Sequence, residues 1–211
     1  MEIKVLTHSS IRIEDRDTVI YIDPFRVQDA VNDADYIFVT HDHSDHFSPR
    51  DIEKTAKSDT ILFVPEKMEG KAQEAAAYVG AIKTVASGTA GQEGSLRFET
   101  VPAYNVHKPF HPKKAGWVGY ILHIGGKRVY IAGDTDATDE AKAVKCDIAL
   151  VPVGGKFTMD AEKAAELVNA IRPETAMPTH YGSIVGKEED AEVFASLVKE
   201  PVKVEICCME G

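Results

Sequence analysis

Three imidazoles and two carboxylates stand within six residues, His41-Asp42-His43-Ser44-Asp45-His46, directly after Thr40 and the apolar run DYIFV at 35–39. Imidazole nitrogen and carboxylate oxygen are the ligands that suit zinc and similar divalent ions. The i, i+2 spacing lets the rings of His41 and His43 point one way from an extended segment, and Asp45 and His46 can then turn toward a second position. The competing reading is a polar loop satisfied by its own hydrogen bonds. Crowding ionisable groups on a turn contributes nothing to a core, so the spacing points to a metal site.

One short motif cannot complete two coordination spheres, and further ligands are expected later in the chain. Asp134 follows the run VYIA in KRVYIAGDTD, with Gly133 before it permitting a tight turn. His180 follows the strand-like TAMP of ETAMPTHYGS, and a glycine again comes soon after. Taken singly, each has an ordinary explanation; an aspartate in GDTD reads as an Asx-turn. Their shared position is less ordinary, because the carboxyl ends of strands are where open α/β sheets build sites. The intervening segment VPAYNVHKPFHPKKAGWVGY offers two more histidines, His107 and His111.

The elements that must position these groups are legible as short β-branched runs. EIKVL (2–6), IRIE (11–14), TVIYI (18–22) and DYIFV read as strands separated by turn residues. A helix is predicted over about 49–57, with Ser48 and Asp51 as a capping pattern around Pro49. ILFVP (61–65) reads as a strand, and EKMEGKAQEAAAYVG as a helix closed by Gly80. In the second half, 96–101, 118–124, 128–132, 148–152 and 175–178 read as strands, with Gly125–Gly126 as a hairpin turn. Helices are predicted over 160–171, stopped by Pro173, and over 188–199. Strands that come early in each half and helices that come later predict an α/β layered fold of two related halves.

Composition sets the outer limits. The chain has 211 residues, 44% of them hydrophobic and 27% charged, with no linker or like-charge block to divide it, so one domain over 1–211 is expected. Basic residues number 24 against 34 acidic, a net charge of −10, which disfavours nucleic acid as a partner. No apolar run approaches the roughly 20 residues of a membrane span, and MEIKVLTHSS lacks a signal core. No membrane partner is expected, and a cytoplasmic location is the default. Cys146, Cys207 and Cys208 show no framework spacing and read as reduced thiols serving as small apolar filler.

HDHSDH, then GDTD, then PTHYGS, in that order and at these intervals, resemble the metallo-β-lactamase superfamily, whose signature HxHxDH is the first of them. The resemblance spans essentially the whole chain. It implies a four-layer αββα sandwich of two related halves. Residue by residue, it implies that His41 and His43 serve a first metal, that Asp45, His46 and His180 serve a second, and that Asp134 bridges. THSS at 7–10, YIDPF at 21–25, VPVGGKFTMD at 151–160 and HYG at 180–182 resemble a short lactonase-like branch. In N-x-x-K-P-F-H-P, that branch favours His111 over His107 as the remaining ligand of the first site.

Other residues have plainer alternatives. His8, in the first hairpin turn, is either a solvated turn histidine or a group facing substrate or ligands. His123 lies inside a strand and reads as structural. Gly154, Gly155 and Thr158 could hold an anion, but an ordinary helix start near Thr158 or Asp160 is the safer expectation. GTAGQEG (88–94) lacks phosphate-loop spacing and reads as a turn, and there is no G-x-S-x-G. Iron-containing redox members of the superfamily carry a glutamate where this chain has His43, which favours hydrolysis.

The expected activity is therefore metal-dependent hydrolysis of a small soluble ester or lactone. Two divalent ions per chain are expected, zinc first, with manganese, iron or nickel as alternatives, and Asp45 orienting the attacking hydroxide. A small phosphodiester is the other candidate substrate, and a metal-loaded binding protein is the reading from outside enzymology. The expected partner is a small molecule, and self-association is possible without any surface marking it.

Overall fold

The computed structural model describes residues 1–206, so Cys207 and Cys208 lie outside the described residues. The described residues form two compact units, 1–86 and 87–206, each built on its own sheet. In the first unit β1 (Glu2–Thr7), β2 (Ser10–Asp15), β3 (Thr18–Ile22), β4 (Ala34–Phe38), β5 (Ala56–Pro65) and β6 (Ala81–Val85) lie side by side in chain order. The β1–β2 and β2–β3 pairs are antiparallel, and every later pair is parallel. Parallel strands have both faces covered, which is why Ile37, Phe38, Leu62 and Val64 are all buried. Helix α1 (Pro49–Thr55) begins as expected: Ser48 Oγ accepts from Asp51 N–H, and Ser48 Oγ–H donates to Asp51 Oδ2.

The second unit repeats the plan with one more strand. β7 (Ala90–Glu93), β8 (Leu96–Pro102), β9 (Val118–Ile124) and β10 (Lys127–Ile131) are antiparallel. β11 (Ile148–Pro152), β12 (Thr175–Thr179) and β13 (Lys203–Val204) then add in parallel. Gly125 and Gly126 close the β9–β10 hairpin with φ of 60° and 75°, a left-handed pair that only glycine adopts without strain. Helix α4 (Ala161–Ile171) turns Ala161, Ala164, Ala165, Leu167, Val168 and Ile171 inward, the face its spacing predicts.

Four expectations are corrected. The predicted helix over 66–80 is instead a broken series in which α2 (Glu69–Ala72) is flanked by single 3-10 turns. Gly70 in its first turn is one cause, since glycine costs about 1 kcal/mol against alanine in a helix. Gly80 ends no helix. A Cβ there would meet the Ser58 carbonyl oxygen at 2.8 Å, so its role is close approach to β5. β5 starts at Ala56 rather than 61, directly after α1, which ends at Thr55. GTAGQEG contains β7, where Gly91 makes room for the ring of Phe98 opposite it. α3 (Asp139–Lys142), β6 and β13 were not expected, being four, five and two residues long. α5 (Glu189–Leu197) falls within the predicted 188–199. No helix among the described residues is long and apolar enough to cross a membrane.

Candidate metal centre

In the first unit the donors leave β4 on a loop that Asp23 holds. Val39 N–H continues the ladder to the Phe63 carbonyl, and Thr40 then leaves the sheet. Asp23, just past β3, is almost wholly buried and has a φ of 47°. It accepts from Thr40 N–H at 2.8 Å and from Thr40 Oγ1–H at 2.7 Å, and it pairs with His46 Nδ1 at 2.7 Å. Burial raises its pKa, while His46 and Thr40 pull the other way. With its own proton given to Asp23, Thr40 Oγ1 is left to accept from His41 Nδ1–H at 2.9 Å. The network thus commits Nδ1 of both His41 and His46 and turns their Nε2 atoms to the other side.

Those Nε2 atoms meet other potential metal-ligand atoms. His41 Nε2 lies 3.2 Å from His43 Nδ1, and His46 Nε2 lies 3.6 Å from Asp45 Oδ2. His8, with φ of 53° in the β1–β2 turn, is fully buried and brings Nε2 to 3.2 Å from the same Asp45 oxygen. It is therefore not a solvated turn histidine. Ligand atoms of His8, Asp45 and His46 all lie within 4.8 Å of one another. The loop closes with Phe47 N–H on the His43 carbonyl, and Lys71 Nζ donates to the Asp42 carbonyl.

In the second unit three separate loops supply the donors. Asp134 follows β10 after Gly133, whose φ is 63°, and is 3% exposed. His111 Nε2 and His180 Nε2 approach its Oδ2 at 3.2 and 3.1 Å. Both histidines are buried, whereas His107 is exposed. His180 takes a φ of 58° just past β12, and its carbonyl passes so close to Gly154 that a Cβ there would lie 2.1 Å away. Gly154 thus serves close approach, whereas Gly155 takes a left-handed φ of 82°. Gly155 N–H bonds to the Met159 carbonyl, and Asp160 caps α4 through Lys163 N–H, the plain helix start. His123 pairs with Glu99, beside Arg128, across the sheet, a structural place. Burial pushes the Cys146 thiol up to about 12, which suits inert filler.

The donor set suits a hard or borderline divalent cation. A neutral imidazole whose Nδ1–H is committed presents a lone pair at Nε2. In His46 that lone pair faces a carboxylate oxygen. Two acceptors face one another stably when a cation lies with them, and N and O donors are what zinc and its neighbours accept.

The family model described as the β-lactamase superfamily domain matches residues 2–180, most of the chain. The chain belongs to the metallo-β-lactamase superfamily. A metal-dependent hydrolase of Symbiobacterium thermophilum is 34% identical over 214 residues, covering 95% of this chain and 92% of that one. A solved protein from Parabacteroides distasonis superposes with a TM-score of 0.81 at 31% identity, covering 97% of this chain and 91% of that one. A metallo-β-lactamase fold protein of Bacillus subtilis shares the fold at 12% identity, with a TM-score of 0.73 and coverage of 97% and 95%. The mixed α/β fold with two sheets is accordingly the metallo-β-lactamase fold, and the chain is a metal-dependent hydrolase of that superfamily.

Asp23 is a residue that sequence reasoning missed. It stood in YIDPF as part of a resemblance, with no role attached. Its signal was an aspartate directly after a strand and before a proline, the same strand-end position that singled out Asp134.

Proposed function

We propose that the chain works as one hydrolase domain, cleaving a small soluble ester or lactone with divalent metal. The donors are His41, His43, Asp45 and His46 from the first unit and His111, Asp134 and His180 from the second. Zinc is the expected metal, at two ions per chain. The observation that carries the reading is the commitment of His46 Nδ1 to Asp23 while Nε2 faces Asp45, an arrangement that aims imidazole nitrogen and carboxylate oxygen as divalent-metal ligands.

A divalent ion bound there supplies Lewis acidity and lowers the pKa of its water toward about 7. The protein groups do the positioning. Asp23 and Thr40 fix the rings of His41 and His46, and His8 steadies Asp45, whose carboxylate is partly open and orients the attacking water. A small substrate is supported by the net negative charge and by the short links between elements, which leave no inserted domain among the described residues.

The test is hydrolysis by the metal-reconstituted protein of a homoserine lactone, a sugar-phosphate lactone, bis(p-nitrophenyl) phosphate and a β-lactam, with a chelated control. Chelator-sensitive turnover of the lactones is expected. Turnover confined to the phosphodiester would move the substrate to phosphoryl esters, and stoichiometric metal with no turnover of any of them would count for a binding protein.

A further inference from the structure

The second unit contains an amide whose hydrogen bonds leave it one orientation. Asn105 is buried on the loop after β8. Its Nδ2 lies 2.9 Å from the Phe157 carbonyl, which can only accept. Its Oδ1 lies 3.2 Å from His111 N–H, which can only donate. Both contacts demand the same assignment of the amide, so Oδ1 is the atom that faces His111 Nδ1 at 3.0 Å. An acceptor at that place requires Nδ1 to carry a proton, and in the neutral ring Nε2, on the Asp134 side, then holds the lone pair. Asn105 N–H also donates to the His111 carbonyl at 2.8 Å, closing the 105–111 loop on itself. Its Nδ2 ties that loop to the 154–159 segment, where the Phe110 and Phe157 rings meet edge to face at 4.7 Å.

We infer that Asn105 is a positioning residue for metal binding: its Oδ1 sets the tautomer and aim of His111, and its Nδ2 anchors the loop that carries it. The inference rests on His111 being a ligand, as proposed above. A carboxamide performs the orienting task without adding charge, so its loss is felt in ligand geometry. Removing such a partner typically weakens metal affinity about 10–100-fold.

The experiment uses the full chain and zinc alone, with affinity read by competition against a chromophoric chelator. Histidine tautomers are read in the metal-free protein from two-bond nitrogen–proton NMR, His111 being assigned by its absence in His111→Ala. Wild type should show His111 protonated at Nδ1. Asn105→Ala should show mixed tautomers and an affinity weakened about 10–100-fold. Asn105→Asp keeps an acceptor toward His111 and loses the donor to Phe157, so it should retain the Nδ1–H tautomer and lose less affinity than Asn105→Ala. A gain that tracks the acceptor in this way is not what simple loss of packing produces, and Asn105→Asp carries the test if Asn105→Ala does not fold. Unchanged tautomer and affinity in Asn105→Ala, with affinity lost in His111→Ala, would overturn the role of Asn105 alone. Full affinity in His111→Ala would overturn the ligand assignment and the inference with it.

Discussion

The first unit aims His46 with a buried carboxylate, whereas the second aims His111 with a carboxamide. Asp23 gathers three partners from one short loop, so its carboxylate is both an orienting group and the hub of the local fold. Asn105 joins loops far apart in the chain and adds no charge. A carboxylate partner also raises the basicity of the imidazole it holds, an effect an amide largely lacks. The difference teaches that similar ligand geometry can be fixed by a charged hub or by a neutral tie, with unequal costs on removal.

The largest expected effect tests what the two donor sets share. His43→Ala in the first unit and Asp134→Ala in the second should each abolish turnover of whichever substrate is cleaved, with the far-ultraviolet spectrum and cooperative melting retained. Turnover kept by either variant would mean that its unit is dispensable to the reaction.

Next comes the contrast between hub and tie. Asp23→Ala leaves Thr40 N–H, Thr40 Oγ1–H and His46 without their buried acceptor, and should cost about 3–5 kcal/mol of stability in urea. Asn105→Ala also strands three groups, but they lose a neutral amide rather than a charged acceptor, and it should cost about 1–3 kcal/mol. Equal losses in metal-free protein would erase the distinction.

Metal removal should act on stability as well. A ligand held at 100 times its dissociation constant stabilises the native state by about 2.7 kcal/mol. Chelation should therefore lower the melting temperature of wild type and leave Asp134→Ala much less affected. An equal fall in both would point to a metal held elsewhere.

The smallest effect concerns the surface pins on the His111 loop. Glu140 is held down to about 2 by Lys113, by its own backbone and by Tyr104, the two side chains lying at 2.6 and 2.8 Å. A carboxyl lowered in the folded state contributes stability above its ordinary 4.5, and that contribution fades as pH falls toward 2. The melting difference between wild type and Glu140→Gln should be small at pH 6 and shrink below pH 4.5. A difference that grows on acidification would reverse the assigned sign.

How legible each region was in the sequence follows the same divide. The first donor set is contiguous, so His41, His43, Asp45 and His46 announce themselves by type and spacing alone. In the second set, Asp134 and His180 were visible only as strand-end residues, and the choice between His107 and His111 needed a family pattern. The structure buries His111 beside Asp134 and leaves His107 exposed. Strands with alternating or continuous apolar runs were read closely, because burial on one or both faces writes itself into the pattern. The broken helix at 66–75 was not, since alanines and charges at helical spacing look the same whether or not tertiary contacts let the helix run on. The orienting residues Asp23 and Asn105 were hidden for another reason: a buried polar side chain is defined by partners that only folding brings together.

The most direct test is elemental analysis of the zinc-reconstituted, gel-filtered protein beside His43→Ala and Asp134→Ala. The account predicts about two ions per wild-type chain, as in paired-metal hydrolases, and fewer in each variant. Wild type that retains no stoichiometric divalent metal, or variants that retain as much as wild type, would contradict it.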